Sequence, residues 1–419
     1  MKRILWLCNG APLRAGNLYS SCSKRGISWI DSLLDYFYDL DNIELYIFFP
    51  IENRKNEEIK KEKNIFFYPF RNLKPPHKYN FDLERDFCEK VIKIQPDIVH
   101  IFGTEFSHCL SMMRAVHQVR LSERTIISIQ GLCSFIKDHY FAFLPFRIIY
   151  RYTFRDFLRH DNILQQQKKF KARGEFERTA IELAENVIGR TEWDKACVAE
   201  LNPDCKYFSC HEVLRKQFYE YQWDINNCEK YSIFISQSFY PLKGFHILLE
   251  AVLKLRRRYP EIKIYTTGNS PLNINHIREN SYSQYIRKLL VHNKLENQVY
   301  FLGDLNAEEM CRQYLNAHVF VSASSIENSS NSLSEAMILG VPCVASDVGG
   351  TASLFNNYED GYMYPADEPS MLAYYINKIF EDDDLAMKFS RTARQHACLT
   401  HSKSDIIKKM LKIYGEIRK

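Results

Sequence analysis

Three side chains in this chain of 419 residues have types and positions suited to handling an anionic, hydroxyl-rich ligand: Glu327, Glu335 and Lys243. A strand candidate ending near Ala323 runs into SSIENSSNSLSEAMILGVPCVASDVGG. The polar loop there carries Glu327, a helix is predicted from near Ser332, and Glu335 falls in its first turn. A helix N-terminus offers unpaired backbone N–H groups and a partial positive charge. A diphosphate can sit on those amides while carboxylates on either side accept hydrogen bonds from sugar hydroxyls. The same letters allow a plainer reading: Ser332-x-x-Glu335 is a capping box, and Gly340 and Pro342 then end the helix. That reading leaves Glu327 without a task.

Taken together these motifs resemble family 4 of the retaining glycosyltransferases, which share the GT-B fold of two facing Rossmann-like domains. That family carries two glutamates separated by seven residues, then E-A-M, a Gly-x-P turn and a D-x-G-G loop. Here Glu335-Ala336-Met337, Gly340-Val341-Pro342 and Asp347-Val348-Gly349-Gly350 stand in that register. The resemblance implies that Glu335 holds the nucleotide ribose, that Glu327 lies beside the donor sugar, and that amides around Asn331, Ser332 and Leu333 meet the phosphates. It also implies a nucleotide-diphosphate sugar as donor substrate, with UDP one expected carrier, no other cofactor and no metal. The D-x-G-G segment is equally readable as a tight turn in which glycine tolerates φ > 0.

A second match, FYPLKGFHILLEAVLKL, resembles the family's K-G segment and puts Lys243 at a helix start. Apolar Phe245, Leu248, Leu249, Val252 and Leu255 recur at helical spacing, so this helix is expected to lie on a sheet. Lysine there can neutralise a leaving diphosphate; outside this register a solvated lysine would be the ordinary reading. Many family members place an arginine five residues before the lysine, and this chain has Ser238. Arg190 in IGRTEWD and Arg215 in HEVLRKQFY are the candidate replacements, and each could instead pair structurally with a carboxylate.

The N-terminal half matches less closely. Asn9, Gly10, Gly16 and Asn17 follow the first strand where the family has a small-residue loop under the donor phosphates, with a surface turn as the alternative; Gly16 is taken as donor-binding. PDIVHIFGTE sets His100 near a strand end, with Gly103 and Glu105 beyond it. The similarity points His100 or Glu105 at the acceptor side, against a buried, satisfied histidine for His100. Gln130-Gly131 stands where some relatives have a histidine near the reacting sugar.

Elements must hold these residues in place. Short β-branched or aromatic runs alternate with amphipathic stretches throughout, the pattern of parallel sheets covered by helices. The expected α/β architecture is GT-B: two doubly wound Rossmann-like domains, an interdomain cleft and a C-terminal helical segment. The expected boundaries are 1–218 for an acceptor-binding domain, 219–230 for a linker, 231–395 for a nucleotide-sugar-binding domain, and 396–419 for a terminal helix packing back on the first domain. Open parallel sheets bind ligands beyond the carboxyl ends of their strands.

Composition bounds the rest. With 46% hydrophobic residues the chain can fill two cores. A net charge of +5 does not indicate nucleic acid. Twelve cysteines without a Cys-x-x-Cys pair argue against zinc and disulfides. No apolar run approaches a membrane span or a signal peptide, so a cytoplasmic protein is expected. From 137 to 178 ten Lys or Arg face five Asp or Glu among many aromatics. Such a stretch suits peripheral contact with the inner face of a membrane, or a core helix with a solvated basic edge.

The expected activity is retaining, metal-independent hexosyl transfer to a glycan or lipid-linked acceptor in surface polysaccharide biosynthesis. A GT-B sugar-nucleotide epimerase and a catalytically silent nucleotide-sugar-binding subunit are the alternatives.

Overall fold

The computed structural model describes residues 2–19, 28–51, 58–71 and 75–417. They form two compact units. The first comprises Met1–Lys137, Lys169–Arg215 and His401–Lys419; the second comprises Asp138–Lys168 and Lys216–Thr400.

In the first unit the strands are β1 (Lys2–Cys8), β2 (Ile43–Ile51), β3 (Lys60–Glu62), β4 (Ile65–Arg71), β5 (Ile98–Phe102), β6 (Thr125–Ser128), β7 (Asn186–Gly189) and β8 (Lys206–Ser209). Their order is β3-β4-β2-β1-β5-β6-β7-β8. All neighbours are parallel except β3, which runs antiparallel to β4. Central strands such as β5 are buried along their whole length, as expected for a sheet covered on both faces. The terminal helix Lys403–Glu416 belongs here: Ile406, Ile407, Met410 and Ile413 join the core formed by Leu33, Phe37 and Ile47. The Trp6 indole N–H donates to Tyr414 Oη at 3.1 Å.

The second unit is a parallel sheet of β9 (Glu229–Ile235), β10 (Lys263–Thr266), β11 (Val299–Phe301), β12 (Ala317–Ser322), β13 (Cys343–Ser346) and β14 (Gly361–Tyr364), in the order β11-β10-β9-β12-β13-β14. Three strands escape the sequence pattern. β3 and β8 are edge strands with largely exposed, mixed-polarity side chains, and β14 is four residues long and begins with glycine.

The units are discontinuous in sequence, where periodicity suggests contiguous blocks. Asp138–Lys168 joins the second unit through specific polar contacts. Asp156 Oδ2 accepts from the Ser281 N–H at 2.8 Å, His246 Nε2 lies 2.7 Å from the Ala142 carbonyl, and the Ser325 hydroxyl donates to the His139 carbonyl at 3.2 Å. The stretch 137–178 is also not one amphipathic helix but short helices at Phe146–Ile149 and Phe154–Arg159 followed by Ile163–Glu182. Residues 219–230 are not extended linker: Trp223 is buried and its indole N–H donates to the Ala317 carbonyl at 2.8 Å.

Candidate functional site

In the second unit the strand order reverses between β9 and β12, and the crevice beyond their carboxyl ends is where an open α/β sheet receives a ligand. A small pocket lies there, lined by Ser236 and Gln237 after β9, Ser324 and Glu327 after β12, and Lys243 and Ser332. The helix Asn331–Leu339 begins at its edge.

Lys243 ends the short turn Pro241–Lys243, and Gly244 follows with φ +66°. A Cβ on Gly244 would stand 1.7 Å from the Ala323 carbonyl oxygen. The K-G pair is therefore a steric requirement: only glycine lets the lysine turn lie against the backbone leaving β12. The Ser325 N–H donates to the Leu242 carbonyl at 2.8 Å, which ties the two loops together. Across that junction the Lys243 ammonium donates to Glu327 Oε1, which also accepts from the Ser324 hydroxyl at 2.6 Å. Burial alone would lower the lysine pKa, but the Glu327 carboxylate and the Tyr240 phenol outweigh it and raise the value. Lys243 is thus a cation at any physiological pH.

The Asp347-Val348-Gly349-Gly350 segment is more than a turn. The Gly350 N–H donates to the Glu327 carbonyl at 2.9 Å, and Gly349 has φ +51° with its α-carbon so close that a Cβ would lie 2.1 Å from the same oxygen. The Ser346 hydroxyl donates to the Ser324 carbonyl at 2.6 Å. The Glu327 loop is consequently held from three sides.

The capping box expected at Ser332 and Glu335 is not formed. The N-cap is Ser330, whose hydroxyl accepts from the Leu333 N–H at 3.4 Å, and its carbonyl takes the Ser334 N–H at 3.0 Å. Asn331 and Ser332 are the first two helical residues, and Glu335 is a buried residue in the second turn. The polar run SSNS offers several possible caps, and nothing local selects among them. Leu333 is buried, with its amide already engaged; of the three helix-start candidates, Ser332 lines the pocket. Ser238, standing where the family pattern has arginine, is buried and donates to the Thr267 carbonyl at 3.2 Å.

In the first unit, Glu105 lies past β5, at the switch between β1 and β5. Its carboxylate accepts from Asn9 Nδ2 at 2.8 Å and the Gly131 N–H at 2.9 Å. Desolvation by burial raises its pKa, opposed by these donors and by Arg173. It lies beyond the carboxyl end of its strand. His100, within β5, is fully buried, with Nδ1 2.6 Å from Tyr414 Oη and Nε2 2.6 Å from Ser128 Oγ. Indole N–H is a donor only, so Tyr414 accepts from Trp6. Burial pushes the His100 pKa down to about 3, so the ring is neutral. His100 is withdrawn as an acceptor-side residue.

Gly16 is likewise corrected, since it sits inside the helix Leu13–Leu18 with its amide donating to the Pro12 carbonyl at 3.0 Å, and that amide is not offered to a phosphate. Arg190 is buried, its guanidinium 2.8 Å from Glu212 and donating to the Ile129 and Gln130 carbonyls at 3.1 and 3.0 Å. Such a geometry braces the ends of β6 and β7. Among the described residues no group of three or more His, Cys, Asp or Glu side chains could hold a metal ion, and the cysteines are free thiols.

Two Rossmann-like parallel-sheet units with a terminal helical segment define a GT-B protein. Sucrose-phosphate synthase from Thermosynechococcus elongatus superposes over 100% of this chain and 99% of its own, with TM-score 0.69 and 16% identity. Anabaena HepE, solved with UDP and glucose, gives 0.68 over 99% and 100% at 14% identity. At such identities the likeness is one of fold. The segment 216–396 matches the family model described as Glycosyl transferases group 1. It contains the entire Lys243–Glu327 site. A putative glycosyltransferase of Bacillus subtilis, YtcC, is 24% identical over 42% of this chain and 43% of its own length. The D-inositol 3-phosphate glycosyltransferase of Corynebacterium urealyticum is 27% identical over 42% and 41%. The alignment thus spans less than half the length of these curated relatives.

Proposed function

We propose that the chain is a retaining, metal-independent glycosyltransferase that moves a sugar from a nucleotide-diphosphate donor to a glycan or lipid-linked acceptor in surface polysaccharide biosynthesis. The observation that carries this reading is the partly buried Lys243–Glu327 pair beside a helix N-terminus at the β9/β12 switch point. A cation and helix amides converging on one pocket suit a diphosphate. The UDP complex of Anabaena HepE favours UDP as the carrier.

In this mechanism the incoming diphosphate takes over the Lys243 ammonium, and Glu327 is freed to face the donor sugar. As the glycosidic C–O bond breaks, Lys243 and the helix amides take up the charge developing on the phosphate. The acceptor hydroxyl attacks from the same face and its proton passes to the leaving phosphate, so the anomeric configuration is kept. Glu327 steadies positive charge on the sugar ring. Glu335 is assigned to the nucleotide ribose, and Glu105 to the acceptor side. Among the described residues no helix is long and apolar enough to cross a membrane, and the proposed location is the cytoplasmic face of one, held peripherally.

The test is a thermal-shift screen of nucleoside diphosphates and their sugars, where ligand at 100 times its Kd should add about 2.7 kcal/mol of stability. Hits are then incubated with and without acceptor, and the product anomer is read by NMR. Transfer with retention supports the reading. An isomerised sugar formed without acceptor would make the protein an epimerase, and binding without turnover would make it a silent subunit.

A further inference from the structure

Seven large apolar side chains within one short stretch of the second unit face solvent. Phe143, Phe146, Tyr150, Tyr152, Phe154, Phe157 and Leu158 are each between 51% and 79% exposed. The stretch is apolar on its inner side as well, where Leu144, Ile148, Ile149 and the Thr153/Asp156 capping box are buried. Segments that border water ordinarily alternate, and monomeric proteins rarely expose contiguous apolar patches beyond a few hundred Å². The backbone is held firmly while it does so: Asp156 is fully buried and anchored to the Ser281 N–H, and His246 holds the Ala142 carbonyl. The turn His276–Arg278 lies against the helix Phe154–Arg159. Its Ile277 and Arg278 are exposed as well.

Charge decides what covers the patch. Between 143 and 160 the chain has four arginines and one acidic residue, the buried Asp156. Arg155 is spent on Asp156 and Asp161. Arg147, Arg151, Arg159 and Arg278 make no ion pair with a carboxylate among the described residues. Aromatics that enter a headgroup boundary beside arginines that reach phosphates are the composition of an interfacial membrane surface.

We propose that this face, residues 143–159 with Ile277 and Arg278, docks on an anionic lipid bilayer. The proposal deepens the peripheral placement given above by naming the surface and the lipid charge. Lipid binding is measured without sugar transfer, so each can fail alone.

The experiment is co-sedimentation of the full chain with phosphatidylcholine vesicles with and without phosphatidylserine, across a salt series. Binding should require phosphatidylserine and weaken with salt. Replacing Arg147 and Arg159 together by serine should weaken it about 30-fold. Replacing Phe146 and Phe157 together by serine should weaken it about tenfold or more. All four positions are exposed, and circular dichroism with the nucleotide-sugar thermal shift reports whether the variants stay folded. Failure to sediment with anionic vesicles, or equal binding by the folded variants, overturns the proposal. So does a concentration-dependent dimer that the phenylalanine variant dissolves while lipid binding is absent.

Discussion

The Lys243 ammonium donates to Glu327 Oε1 across 84 positions of sequence, and the pair is only 24% and 13% exposed on its two sides. A buried charge left alone is costly, and the Glu327 carboxylate holds the Lys243 pKa up against the effect of burial. Lys243→Ala should reduce transfer by ~10² or more. Glu327→Gln should also reduce it, and should lower the lysine pKa because burial is then less opposed. The double variant should be no slower than the slower single. Steady-state rates and a thermal-shift cycle check this; a Lys243→Ala rate within about threefold of the parent would show that the lysine carries no such charge.

Gly244 and Gly349 hold the Glu327 loop by close backbone approach. Gly244→Ala should cost about 2–4 kcal/mol, through the clash with the Ala323 carbonyl and the positive φ. Gly349→Ala should do the same against the Glu327 carbonyl. Chemical denaturation measures both, and losses under about 0.5 kcal/mol would mean that the loop gives way freely.

Ser330, not Ser332, caps the helix Asn331–Leu339. Ser330→Ala should cost about 1 kcal/mol, and Ser332→Ala less than half as much. The reverse ranking in urea melts would restore the capping box.

Tyr414→Phe should destabilise by about 2–4 kcal/mol, since it strands the Trp6 indole N–H and His100 Nδ1 in the core. Amide exchange should show the loss in β1, β5 and the terminal helix first. A neutral result would mean that the relay is dispensable.

Glu177 supplies a pH signature. It is fully buried and its carboxyl is pushed up to about 7 by desolvation, partly opposed by donors from Ser134 and Thr104. The folded chain therefore keeps a proton that the unfolded chain releases near pH 4.5. This contribution is fully present below that pH and is lost as pH rises through about 7. The stability of the parent relative to Glu177→Gln should accordingly fall across the window. The difference cancels the buried histidines, which slope the other way, and a flat difference would put the Glu177 pKa near its ordinary value.

Much of this was legible in the order of residues. The apolar runs of β5 and β12 announce strands buried on both faces, and Lys243 and Glu327, singled out by their register, line one pocket. The edges were not legible: β3 is Lys-Lys-Glu, paired on one side only, so it needs no apolar face. Nor were Ser324, Ser330 and the Gly350 amide as supports of the site, because serine-rich loops look alike until a partner selects one hydroxyl. His100 stood open between two readings for a related reason. A histidine at a strand end can point at a ligand or into the core, and the residue that settles it, Tyr414, lies 314 positions away.

By itself, then, the order of residues determined two doubly wound parallel-sheet units, which follow from short-range periodicity, and singled out Lys243 and Glu327, which line one pocket. Which of those side chains touch was decided only by tertiary structure. Parallel order places β9 beside β12 although two strands intervene in sequence. That adjacency, with the steric fit of Gly244 on Ala323, brings Lys243 to Glu327. The same long-range contacts assign residues 138–168 to the second unit and turn a basic aromatic stretch into an exposed face.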